Sequence, residues 1–181
     1  NLLDEDETAF QAFSLANEAM QIQFNWNERA RLREESIKPG DKEFVLAWRP
    51  FQIGFTLLSL ASVTDPEHVD RNTFDLLWFP TGGGKTEAYF LLIAYLLFFR
   101  RLKGEDGVDS RHVDVFMRYT LRALTEQQFQ RASTMIFACD FIRKRDDLGS
   151  TPFSIGLWVG GDSSPNSIED LNKAISLGNA F

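Results

Sequence analysis

The stretch that decides the reading is Asp75-Leu76-Leu77-Trp78-Phe79-Pro80-Thr81-Gly82-Gly83-Gly84-Lys85-Thr86-Glu87. It sets a short apolar run, three consecutive glycines and a Lys-Thr pair in front of a second, longer apolar run at 88–99. A loop of this kind between a strand and a helix suits a phosphate group. Its glycines let successive backbone N–H groups converge on an anion, and the helix offers the positive end of its dipole. Gly82, Gly83 and Gly84 admit conformations closed to other residues and place no Cβ between the amides and the phosphate oxygens. Thr81 opens the loop, Lys85 reaches for the β- and γ-phosphates, Thr86 offers a hydroxyl to Mg2+, and Glu87 follows in the first helical turn. The expected ligand is ATP with Mg2+, bound by Thr81, Gly82, Gly83, Gly84, Lys85, Thr86 and Glu87, with Lys85 and Thr86 also assigned to its chemistry. One departure stands out: the general pattern has glycine where this chain has Phe79, five residues before Gly84.

The rest of the composition narrows the class. The chain has 181 residues, 44% of them apolar and 25% charged, which is ordinary for a globular domain and excludes disorder as the default. The single cysteine, Cys139, excludes an internal disulfide framework and reads as an inert core thiol. His68 and His112 are too far apart to found a metal cluster and read as surface residues. The twelve apolar residues of 88–99 are fewer than the roughly 20 a membrane-crossing helix needs. Asn1 is followed by acidic residues rather than by a basic and then apolar segment, so a soluble, cytoplasmic protein with no membrane partner is expected. The chain starts without methionine and ends just after a helical pattern, and a portion of a larger protein is expected.

A net charge of −7 argues against nucleic-acid binding by bulk electrostatics, so any such contact must be local. Basic residues do cluster, at Arg29, Arg31 and Arg33, at Arg100, Arg101 and Lys103, at Arg118, Arg122 and Arg131, and at Arg143, Lys144 and Arg145. Only the third group coincides with a motif; the others read as solvated helix faces and helix C-terminal charges.

Along the chain, residues 1–47 read as an N-terminal helical adapter. Phe10, Phe13, Met20 and Phe24 recur there at helical spacing, and the helix ends before the turn signal Lys38-Pro39-Gly40. Residues 48–181 read as the N-terminal part of an ATP-binding domain. Arg49-Pro50-Phe51-Gln52 opens an apolar helix through Leu60, and three strand-then-helix units follow: 74–79 into 86–101, 113–119 into about 125–145, and 153–159 into about 167–177. Apolar strands alternating with long helices predict an α/β fold, a parallel sheet flanked by helices, with ligands beyond the carboxyl ends of the strands. Trp78, Trp158 and Phe129 read as packing residues.

These residues resemble the first motor domain of superfamily 2 helicases and translocases. Pro80-Thr81-Gly82-Gly83-Gly84-Lys85-Thr86 is similar to that group's motif I, in which the residue before proline varies, so Phe79 ceases to be an anomaly. Gln52, 33 positions before Lys85, resembles the upstream glutamine that reads the adenine edge. Arg122-Ala123-Leu124-Thr125-Glu126-Gln127 resembles motif Ia, and Gly160-Gly161 resembles the turn after the third strand. The resemblance covers about residues 48–161 and implies a RecA-like P-loop domain, incomplete here and ending before the Asp-Glu motif. It also implies a strand backbone held near Thr120, Arg122, Thr125 and Gln127. The string 117–132, with 77–89 upstream, is similar to the DrmA helicase family of the bacterial DISARM phage-defence system. That likeness implies an ATP-driven motor on DNA, single-stranded or at a duplex end, working with a second RecA-like domain and a partner protein, DrmB.

Two other classes stay open. One is a non-helicase P-loop nucleotide enzyme, and the other a regulatory binding module switched by nucleotide. No Asp-Glu pair follows a later apolar run; Asp162 and Glu169-Asp170 fall in a loop or an early helix. The parent protein is therefore expected to be an ATP hydrolase, and the 181-residue chain alone to bind nucleotide weakly and hydrolyse almost none.

Overall fold

The computed structural model describes residues 2–32, 44–80, 82–104, 113–119, 122–158 and 167–176, leaving aside the side chains of 122–124 and 174. Among them run six helices: α1 (Leu2–Glu5), α2 (Glu7–Leu32), α3 (Pro50–Thr64), α4 (Lys85–Leu102), α5 (Arg122–Arg145) and α6 (Ile168–Ser176). Thr81, His112, Thr120, Gly160, Gly161 and Asp162 lie outside the described residues, as do the ends of the expected third strand and last helix.

Asp6 starts α2, its carboxylate accepting the Ala9 N–H at 3.0 Å and so satisfying one donor of the first turn. The buried stripe of α2 is Ala9, Ala12, Ala16, Ala19, Met20 and Gln23. The phenylalanines expected to form that stripe flank it instead: Phe13 packs at its edge, Phe24 is half-buried and Phe10 is 56% exposed. Small side chains let α2 approach α4 closely, a fit that phenylalanines on the same face would prevent. The core then fills from the other side with Phe90, Leu91, Tyr95 and Phe98 of α4, Met135, Cys139 and Ile142 of α5, and Leu60 of α3. Burial pushes the Cys139 thiol up from its ordinary range, in keeping with an inert core thiol. The Tyr95 hydroxyl bonds that of Thr64 at 2.6 Å, which ties α3 to α4, and burial pushes its pKa up from the ordinary tyrosine value. No described helix is long and apolar enough to cross a membrane.

The expected parallel sheet, and with it the RecA-like α/β fold, is contradicted: among the described residues there is no sheet. Residues 74–79, 113–119 and 151–158 are extended, but no strand or backbone ladder joins them among the described residues, and the architecture is helical. Two of them alternate in part, since Phe153 and Ile155 pack on the helices, as does Met117, while Phe116 beside it is 82% exposed; 74–79 is exposed throughout except at Leu77. A period of two reports which face is buried; pairing further requires another backbone about 4.8 Å away, and the pattern carries no information about that. Trp78 and Trp158, expected as packing residues, are 88% and 93% exposed, and Phe129 is half-buried.

A fourth extended stretch, 44–49, is held by side chains. Asn17, Gln21 and Asn25 stand one turn apart on α2. Gln21 Nε2 donates to the Phe44 carbonyl at 2.5 Å, Gln21 Oε1 accepts the Leu46 N–H at 2.8 Å, and Asn25 Oδ1 accepts the Phe44 N–H at 2.8 Å. Trp48 Nε1 donates to Asn17 Oδ1 at 2.9 Å. Amides at i, i+4 and i+8 thus act as a surrogate neighbouring strand. This stitching delivers Arg49 and Gln52 to the glycine loop.

Candidate anion-binding loop

Gly82 and Gly84 hold left-handed backbone angles, φ +77° and +90°, and a turn closes from the Gly83 N–H to the Pro80 carbonyl at 3.1 Å. Two of the glycines are also needed for space. A Cβ on Gly83 would lie 2.7 Å from the Phe79 ring, and one on Gly84 would lie 2.7 Å from Gln52 Nε2. Phe79, the departure from the general pattern, stacks on Phe51 of α3 with ring centroids 3.7 Å apart and covers the Gly83 turn.

Four carbonyls of the loop are turned onto donors. Arg49 donates to the Gly83 carbonyl at 2.7 Å, and Gln52 Nε2 to the Gly84 carbonyl at 2.8 Å. Lys85 Nζ donates to the carbonyls of Phe79 and Pro80 at 2.5 and 3.1 Å. A trans peptide directs its N–H opposite to its C=O. The Gly84 and Lys85 N–H groups therefore point away from Arg49 and Gln52. Gly84 is the N-cap of α4 and has no side chain to accept from the first-turn amides. Two backbone donors, the Gly84 and Lys85 N–H groups, thus stand at the positive end of an 18-residue helix with Thr86 in its first turn.

Gln52 is occupied from both ends: its Oε1 accepts the Arg49 N–H at 2.8 Å while its Nε2 holds Gly84. The first bond closes half a capping box at the start of α3, and Pro50 sits at the first helical position, where its missing N–H costs nothing.

Glu87 Oε1 forms an ion pair with Arg131 Nη2 of α5. Arg131 Nη1 also meets Gln128 Oε1 at 3.3 Å, and the guanidinium lies 5.8 Å from the centre of the Phe90 ring. The first half of α5 is thereby fixed against the first turn of α4. Of the residues read as a nucleic-acid contact, Gln127 is exposed at this end of α5, and Thr125 lines a cavity of about 530 Å3 between α4, α5 and the extended segments. Arg122 is in α5 with its side chain outside the description, and Thr120 is outside it altogether. The cavity is separate from the glycine loop, and its lining is mainly apolar.

Sequence reasoning brought Gln52, the three glycines, Lys85, Thr86 and Glu87 to one place, and the structure does the same. It missed Arg49 as the donor to Gly83 and the amide ladder of Asn17, Gln21 and Asn25, whose four-residue spacing was the available signal. Arg131 stood in the basic group that touches a motif, but its partner across 44 residues is a tertiary fact.

The chain is 40% identical, over an alignment of 179 residues that covers 94% of its length, to the DISARM protein DrmA of Bacillus paralicheniformis, and it spans 16% of that protein. It is related to DrmA. No protein-family model matches the chain, and no solved structure matches it.

Proposed function

We propose that this chain is the nucleotide-binding part of a DrmA-like protein of bacterial anti-phage defence, taking the phosphates of ATP with Mg2+ at residues 80–86. The observation that carries the reading is the orientation of the loop's peptides. With the carbonyls of Gly83 and Gly84 drawn off by Arg49 and Gln52, the Gly84 and Lys85 N–H groups face the opposite side at a helix N-terminus, where an anion is attracted. Lys85 exchanges its loop carbonyls for phosphate oxygens, which are stronger acceptors. Thr86 supplies its hydroxyl to the metal, and a second N–H on Gln52 Nε2 is left to meet the adenine.

Relation to DrmA supports a role in the DISARM defence system. In that setting, ATP turnover, a DNA strand resting near Thr120, Arg122, Thr125 and Gln127, and association with DrmB belong to the whole protein. Hydrolysis needs charge stabilisation and a positioned water, and this chain's loop supplies binding alone.

The test is titration of the 181-residue chain with a fluorescent ATP analogue in the presence and absence of Mg2+. Lys85→Ala is expected to abolish measurable binding, and Thr86→Ala to remove the Mg2+ dependence while leaving the weaker metal-free binding. Equal binding by the wild type and Lys85→Ala would sink the proposal.

A further inference from the structure

Glu87 carries a negative charge into the anion seat, and what is done with that charge is a property of α5. It is the third residue of α4. A Cβ built on Gly84 would lie 3.5 Å from its Oε2, so the carboxylate already borders the glycine turn. A carboxylate in the first turn of a helix is attracted by the same unpaired amides that a phosphate would use. The two anions therefore compete unless the carboxylate is held elsewhere.

Arg131 holds it. Its guanidinium takes Glu87 Oε1 and is itself steadied by Gln128 and by the face of the buried Phe90 ring. Both partners are about a third exposed, at 32% and 28%, so the pair is screened less than a surface pair and neutralises the carboxylate at short range. The other cations at the loop, Lys85 and Arg49, donate to loop carbonyls and are not bound to Glu87.

We infer that Arg131 is a positioning residue for the anion-binding loop: it keeps the Glu87 carboxylate on α5 and out of the phosphate seat, and so couples loop occupancy to the placement of α5. The inference rests on the nucleotide reading above and adds its control. Whatever draws Arg131 off Glu87, a displacement of α5 or a competing anion on that helix, weakens nucleotide binding. Nucleotide in turn favours the paired arrangement, because coupling between two sites is reciprocal.

The experiment is binding of the same fluorescent ATP analogue with Mg2+ to the 181-residue chain and to Arg131→Ala, Glu87→Gln and the double variant, at low and high salt. Arg131→Ala is expected to raise the Kd about tenfold by freeing the carboxylate. Glu87→Gln should tighten binding about threefold, and the double variant should bind at least as well as the wild type. The loss in Arg131→Ala should shrink in 1 M salt, where the Debye length falls to about 3 Å. Failure of Glu87→Gln to restore Arg131→Ala, or a loss that salt leaves untouched, would overturn the inference, since removal of packing alone predicts both. Should Arg131→Ala lose its helical circular dichroism, Arg131→Gln with and without Glu87→Gln gives the same comparison. Lys85→Ala separates the two claims. If the wild type binds in a Lys85-dependent way and the rescue fails, only the role of Arg131 falls; if Lys85→Ala binds like the wild type, the nucleotide reading falls and takes this inference with it.

Discussion

The helical core and the extended segments beside it are both rich in large apolar residues, and the structure treats them in opposite ways. Phe90, Tyr95 and Phe98 of α4 are completely buried, while Phe74 is 100% exposed and Trp78 and Trp158 nearly so. Helix α4 satisfies its own backbone groups and needs only side-chain neighbours, which α2, α3 and α5 provide. An extended segment satisfies neither its backbone nor its second face without a neighbouring chain, so it is buried on one side at most. Apolar character therefore predicts burial for a helix far better than for an isolated extended run.

Measured stabilities should follow the same division. Phe98→Ala removes a fully buried ring that packs edge-on against Phe153 at 5.6 Å, and it should cost about 3–5 kcal/mol in urea unfolding. If it costs under 1 kcal/mol, the helical core is not what holds the molecule together.

The next effects lie where the two regions are joined. Arg143, the Phe153 N–H and Lys144 surround Asp140 and hold its carboxyl down to about 2, with the Arg143 Nε bond of 2.6 Å the main cause. Because the folded-state value lies below the unfolded one of 3.8, the stabilisation is fully present above about pH 4 and disappears as pH falls through about 2. Asp140→Asn should therefore cost on the order of 2 kcal/mol at neutral pH, with the gap to the wild type closing in that acid window. A gap that stays constant down to pH 2 would show that the carboxylate charge is not the cause. Gln21→Ala cuts two bonds of the ladder on 44–49 and should cost about 1–2 kcal/mol. It should also weaken nucleotide binding, because that ladder carries Arg49 and Gln52. Smallest of all, Trp78→Ala and Trp158→Ala should fall within about 0.5 kcal/mol of the wild type despite the size of the residue removed.

The candidate site was more legible in the sequence than the fold. Three glycines followed by Lys-Thr describe a local conformation, and the positive φ of Gly82 and Gly84 follows from residue type and spacing. The positions of α4 and α5 could likewise be read to within a few residues, because helix signals are local. The buried face of α2 could not, since alanine is compatible with any environment and only the proximity of α4 makes it the right residue there. The sheet was misjudged for a related reason: alternation in 113–119 and 153–158 marks an inward face, and strand pairing is decided by chain elsewhere.

By itself, then, the sequence determined the glycine loop, the helix that follows it and the helices on either side, because each depends on residues a few positions apart. The tertiary structure alone decided that Arg49 and Gln52 turn the loop's carbonyls aside, that Arg131 takes Glu87, and that no ladder joins the extended segments among the described residues. Those contacts join residues 32 to 44 positions apart, and chain separations of that size are closed by packing of the whole core, which no local pattern encodes.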